Sequence, residues 1–163
     1  MFDLTGKNAV ITGSSKGIGK SIAMAMAKQG ANVVISSRKV DVCEATAEEI
    51  NKLDSDGAGK AIVVPCNISD KTALEMLVDE TRTQLGQIDI LVCNAASNPY
   101  FGSIKDIPDD AFEKIMNNNI KSNHNLCQMV IPEMMERKDG SIIIVSSIGG
   151  LSASPVIGAY NIS

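Results

Sequence analysis

Five short apolar runs alternate along the chain with longer amphipathic ones, and this alternation leaves few folds open. Residues 8–12, 32–36, 61–65, 89–93 and 141–145 are each about strand length and apolar at consecutive positions. That is the pattern of strands covered on both faces. Between them lie stretches with helical spacing. After the first run, Ile18, Ile22 and Met26 recur every four residues, and Gly30 follows as the stop. Helical patterns also cover about 40–53 and about 70–85, the latter with Leu74, Leu77, Val78 and Leu85 on one side and Asp70 as its N-cap. Strand, helix, strand in this order gives an α/β fold, a parallel sheet wrapped on both faces by helices through right-handed crossovers. Residues 54–59, Asp-Ser-Asp-Gly-Ala-Gly, read as a surface loop, and the chain has no internal repeat.

At 163 residues, with 44% hydrophobic and 21% charged side chains, residues 1–163 are expected to form a single domain around one core. Fifteen Lys and Arg against nineteen Asp and Glu give a net charge of −4, and no basic run suits nucleic acid. Cys43, Cys66, Cys93 and Cys127 stand 23, 27 and 34 positions apart, without the close pairs that metal sites use. They read as reduced, mostly buried thiols, and no metal is expected. No segment has signal-peptide form or the roughly 20 apolar residues of a membrane helix, so a cytoplasmic protein is expected.

The longest helical stretch, about 109–138, contains Asn117-Asn118-Asn119 and Pro132, which a regular helix does not favour. A kinked or interrupted helix follows. The single histidine, His124, comes soon after, with no carboxylate placed by the sequence to orient it, and reads as a solvated or packed side chain.

Gly13, Gly17 and Gly19 lie between the first strand and the first helix, where backbone N–H groups and a helix N-terminus can receive a pyrophosphate. A glycine trio also serves a plain tight turn, but here the flanking strand and helix favour the nucleotide. Enzymes using NAD place an acid about 20 residues further on, at the second strand's end. This chain has Ser36-Ser37-Arg38-Lys39 there, and Lys16 within the glycine loop. Arg38 can offer a fork of donors to a 2′-phosphate, so NADP(H) is expected over NAD, solvated surface charges being the alternative. The glycine loop, Ser37 with Arg38, Asn67, Asn94 and Ser147 all follow strands, so they gather at the carboxyl edge of the sheet, where ligands bind.

These residues carry a resemblance. From end to end the chain resembles the N-terminal two-thirds of a short-chain dehydrogenase/reductase. Thr12-Gly13-Ser14-Ser15-Lys16-Gly17-Ile18-Gly19 is similar to that family's cofactor loop, and Cys93-Asn94-Ala95-Ala96 to its Asn-Asn-Ala-Gly segment, with Cys and Ala at the outer positions. Asn119 resembles its helix asparagine, Ser147 its catalytic serine and Tyr160, thirteen positions on, its catalytic tyrosine. Ser36 to Lys39, Asn94 to Ser103 and Val145 to Ile148 look most like NADPH-dependent carbonyl reductases of retinal and other ketones or aldehydes. The resemblance implies a doubly wound Rossmann-type sheet, truncated after the fifth strand, with cofactor contacts from Gly13, Ser15, Lys16, Gly17, Ile18, Gly19, Ser37, Arg38, Asn67, Ile68, Asn94 and Ala95. Asn67 stands where the family more often has an aspartate toward adenine, and an amide can still accept that bond.

The implied reaction moves hydride between NADP(H) and a carbonyl or alcohol substrate. Tyr160 gives the proton, Ser147 holds the carbonyl oxygen, and Asn119 anchors a water linked to a lysine that helps stabilise the tyrosinate. That lysine belongs just after Ser163, so the 163 residues are expected to be a fragment of a longer subunit, a homodimer or homotetramer when complete. By itself the fragment should be poorly soluble and inactive. Two other readings stay open: reduction of 3-oxoacyl thioesters, and a truncated, non-catalytic nucleotide-binding module.

Overall fold

A computed structural model of the chain describes residues 2–53 and 57–163; Met1 and, within the expected 54–59 loop, Asp54, Ser55 and Asp56 lie outside the described residues. Five parallel strands form one sheet: β1 (Asn8–Thr12), β2 (Asn32–Ser36), β3 (Ala61–Val63), β4 (Ile90–Cys93) and β5 (Ser141–Ile144). Their order is β3-β2-β1-β4-β5. The chain moves outward from β1 to one edge, then crosses back over it to β4, so the turns after β1 and β4 flank the point where direction reverses. In sheets of this kind ligands bind at that point.

Successive side chains of a strand point to opposite faces, and the two cores follow from this. Ala9, Ile11, Val33, Ile35, Ile90 and Val92 face one layer, where they meet α1 (Gly17–Lys28) and α2 (Val40–Asn51). Val10, Val34, Leu91 and Cys93 face the other, with Leu74, Leu77 and Val78 of α3 (Lys71–Leu85) and Leu126 and Val130 of α5 (Ser122–Arg137). Each fully buried Leu or Ile contributes about 1.5–3 kcal/mol relative to exposure. Asp70 caps α3 as expected, its carboxylate accepting from the N–H groups of Thr72 at 2.9 Å and Ala73 at 3.4 Å. Gly30, with φ +96°, ends α1 in a conformation that side chains disfavour.

Two expectations are corrected. The fully buried side of α1 is Gly19, Ala23 and Ala27; Ile22 and Met26 are half-buried against the same core, and Ile18 is 66% exposed. Small residues let the helix lie close against the sheet, which the larger side chains one position away would prevent. The third and fifth strands end earlier than expected. β3 ends at Val63, although the Val64 and Cys66 N–H groups beyond it still donate to Ile35 O and Ser37 O, and β5 ends before Val145. β5 is the sheet edge, as expected of a sheet truncated after its fifth strand, with Ile143 and Ile144 exposed.

The long helical stretch is three pieces on one path: α4 (Asp109–Met116), a π-helical turn (Asn117–Lys121) and α5, which carries Pro132 on its exposed side. The widened turn turns Asn118 and Asn119 inward to burial, and such turns recur at functional sites. His124 is exposed. A last short helix, α6 (Gly158–Ile162), carries Tyr160.

Candidate active site

The glycine loop is held from three sides. Gly13 and Gly17 have φ of +67° and +57°. At Gly19 a Cβ would overlap both the Gly13 carbonyl oxygen and Asn94 Nδ2. The Asn94 amide donates to Thr12 O at 2.9 Å and Gly13 O at 3.3 Å, while Thr12 Oγ1 accepts from the N–H groups of Asn94 and Ala95, both at 3.0 Å. The loops after β1 and β4 are thus stapled together. Ser14 joins β2 to the loop, its Oγ donating to Ile11 O at 2.7 Å and accepting from Ser36 N at 2.8 Å. Thr46 Oγ1 of α2 donates to Ser15 O at 2.9 Å.

What this leaves free suits an anion. The first turn of α1 has no side-chain cap and no acidic residue, so the N–H groups of Gly17, Ile18 and Gly19 have no intrahelical acceptor. Lys16, Gly17 and Ile18 are exposed beside them. At the end of β2, Ser37 is half-buried, with Oγ 3.1 Å from Cys43 Sγ, and Arg38 is exposed. Neither Lys16 nor Arg38 is in an ion pair among the described residues.

Asn67 is exposed and Ile68 half-buried against the core. The expected role of the Asn67 oxygen as an adenine acceptor meets competition, since Oδ1 already accepts from Ser69 N at 3.3 Å and Ser69 Oγ at 2.9 Å. Its NH2 has no protein acceptor among the described residues.

Asn119, Ser147 and Tyr160, far apart in sequence, line one cleft of about 60 Å³ with Cys93, Ala95 and Val145. Asn119 Oδ1 accepts from Ser97 N at 2.8 Å, and its Nδ2 donates to Ser97 O at 3.1 Å and Ser163 Oγ at 2.9 Å. The buried amide therefore clamps the loop after β4 and reaches α6. Asn118 Nδ2 adds a bond to Ser97 Oγ at 2.9 Å. Ser147 Oγ accepts from Gly149 N at 3.0 Å.

Several residues of this framework lie outside the sequence expectations: Thr12, Ser14 and Ser97. Thr12 and Ser14 stood within the glycine signature, so their presence was visible and their partners were not. Ser97 stood within the Asn94 to Ser103 run of the resemblance, where nothing in the sequence gave it a partner.

The thiols are free, with Cys43, Cys66 and Cys93 buried. Burial pushes Cys93 up to about 12, helped by the neighbouring Cys127 thiol, and pushes Cys66 up to about 11, with Asp70 adding to the effect. Cys127 is also raised, by burial. Protonated thiols are poor nucleophiles, so Cys93 is part of the cleft wall. No group of three potential metal-binding side chains occurs, and no helix is long and apolar enough to cross a membrane, among the described residues.

Residues 7–163 match the sequence model described as short chain dehydrogenase. Dehydrogenase/reductase SDR family member 4 of Bos taurus is 40% identical over 164 residues, covering 98% of this chain and 56% of that protein. The chain thus spans little more than half the length of this curated relative. Among solved structures, a 7α-hydroxysteroid dehydrogenase complexed with NADH and 7-oxo glycochenodeoxycholic acid is 33% identical, with a TM-score of 0.90, covering 98% of this chain and 60% of that one. A short-chain type dehydrogenase/reductase from Mycobacterium marinum is also 33% identical, with a TM-score of 0.87 and coverage of 98% and 64%.

Proposed function

The chain belongs to the short-chain dehydrogenase/reductase family, whose members use NAD(P)(H) on small molecules, and from that premise we propose that its subunit reduces a ketone or aldehyde with NADPH, or runs the reverse reaction. The observation that carries this reading is the meeting of Asn119, Ser147 and Tyr160 in one cleft, which also takes in Ala95 from the loop stapled to the glycine turn. A module that only bound nucleotide would not need that convergence. The relative that holds NADH also holds a 7-oxo bile acid, which supports a ketone as the kind of group reduced.

The residues fit a dinucleotide. A glycine cradle that a Cβ at Gly19 would fill and an uncapped, acid-free helix N-terminus suit its pyrophosphate. Exposed Lys16 and Arg38, with no acid at the end of β2, favour a 2′-phosphate over a free ribose hydroxyl. The NADH-bound relative shares the fold, so the preference for NADP(H) rests on these two cations. Asn67 would meet adenine through its free NH2 rather than its occupied oxygen.

When bound, the cofactor supplies or accepts the hydride. The chain's own residues manage the oxygen and its proton. Ser147 Oγ already accepts the Gly149 N–H, so its own hydrogen is available to donate to a carbonyl oxygen. Tyr160, on the same cleft, gives the proton as negative charge develops on that oxygen. Asn119 holds the wall of the cleft by fixing Ser97.

The test uses the full-length subunit. Titration at equal ionic strength should give tighter binding of NADPH than NADH, and Arg38→Asp should reverse that preference by about tenfold, or about 1.4 kcal/mol. Tyr160→Phe and Ser147→Ala should each lower kcat/KM for a carbonyl substrate by roughly 10²–10⁴, the size of a lost acid or base. Equal binding of the two cofactors defeats the NADP assignment. Full activity in Tyr160→Phe defeats the catalytic one.

A further inference from the structure

Directly after Tyr160 stands an asparagine that the proposed chemistry does not use. Asn161 Nδ2 donates to Gly149 O at 2.6 Å and to Ser152 O at 2.5 Å, so one amide grips both ends of the turn that follows Ser147. The turn in turn grips the serine: Gly149 N donates to Ser147 Oγ and Gly150 N to Ser147 O, each at 3.0 Å. It also runs beside the tyrosine. A Cβ at Gly149 would lie 3.3 Å from Ser147 Oγ and 3.6 Å from Tyr160 Cε1.

The amide cannot be turned over. Its two partners are carbonyl oxygens, which only accept, so Nδ2 must face them and Oδ1 must face away. That oxygen is buried with no partner among the described residues. Buried polar atoms are normally paired, and this one is left unpaired while both hydrogens of the amide are committed to the turn.

We propose that Asn161 is a positioning residue: it ties the turn after Ser147 to the helix of Tyr160 and so fixes the separation of the two hydroxyls that share the substrate oxygen. This rests on the carbonyl reductase reading. Both members of the pair sit on short, partly exposed segments outside the sheet, and the Asn161 amide joins them by side-chain hydrogen bonds.

Three variants of the full-length enzyme test it. Asn161→Asp keeps the shape and removes the donor, Asn161→Ala removes the amide, and Asn161→Ser serves where either fails to fold. Expected is a fall in kcat of about 10–100-fold, the scale of a misplacement near 1 Å, with KM and the NADPH Kd within twofold of the parent. The isotope effect on kcat from deuterated nicotinamide should rise, because the chemical step becomes slower relative to release. Amide exchange should quicken across 147–152 and stay unchanged across 8–36. An unchanged kcat and isotope effect overturn the proposal. So does a fall in kcat matched by equal losses in cofactor affinity and melting temperature, which marks a general structural role. If the parent reduces no carbonyl compound, the functional reading fails with it, and exchange then judges the tie alone: unchanged protection across 147–152 removes that as well.

Discussion

Gly19 is confined by a contact that lies 75 positions away in the chain. A methyl group there would run into the Gly13 carbonyl and the Asn94 amide, the same amide that staples the loops after β1 and β4. Gly19→Ala should therefore destabilise the fold by about 1–3 kcal/mol, as overpacking does, and weaken cofactor binding as the staple shifts. Denaturant unfolding and cofactor titration measure the two effects. The buried thiols give a pH dependence. Cys93 and Cys66 are pushed up to about 12 and about 11 from an ordinary value of 9.0, so between pH 9 and those values the unfolded chain binds fewer protons than the folded one. Their contribution to stability is complete below pH 9 and is lost as pH rises toward 12. Guanidinium midpoints at pH 8 and pH 10.5 should show the fall, and Cys93→Ala should lessen it. The glycines, the tyrosine and the serine were readable as residue types at a spacing. The staple was not, because its donors and acceptors meet across 81 and 82 positions.

At the level of elements, the helix boundaries followed local chemistry, and the faces did not. Asp70 was recognisable as a cap because its partners are two and three residues on. Asp70→Ala should cost about 1 kcal/mol, read as a lower urea midpoint, while Asp70→Asn should stay near the parent. The buried side of α1 went to Gly19, Ala23 and Ala27 because closeness to the sheet, rather than the apolarity of the nearest large side chains, set the helix rotation. Asn117-Asn118-Asn119 announced an irregularity, but the π-turn that brings Asn118 and Asn119 onto Ser97 needs that loop to be in place.

Across the whole molecule the two edges of the sheet divide the work. At the amino edge, Asn8 binds the Asp89 carboxylate through its N–H and the Leu85 and Gln87 carbonyls through its side chain, and Arg137 binds the Ile88 carbonyl; this end is sealed by structural bonds. At the carboxyl edge the uncapped N-terminus of α1 and the exposed side chains of Lys16 and Arg38 are left open. At the side, β5 presents Ile143 and Ile144, with Ile148 and Leu151 beyond it, as an exposed apolar margin with free pairing groups. A polypeptide of these 163 residues should self-associate through it, and Ile144→Lys should raise the monomer fraction in sedimentation, since a charge on an edge strand opposes pairing. By itself the sequence determined the order of strands and helices, the parallel sheet and the gathering of the glycine loop, Arg38, Asn94 and Ser147 at one edge, because these depend on local periodicity and on which residues follow a strand. Only the tertiary structure decided how those residues are held: the Asn94 staple, the Asn119 clamp on Ser97 and the Asn161 tie. Each is a side-chain hydrogen bond between separate segments, from 9 positions apart for the Asn161 tie to 82 for the Asn94 staple, and its geometry exists only once the packed elements have brought the partners together.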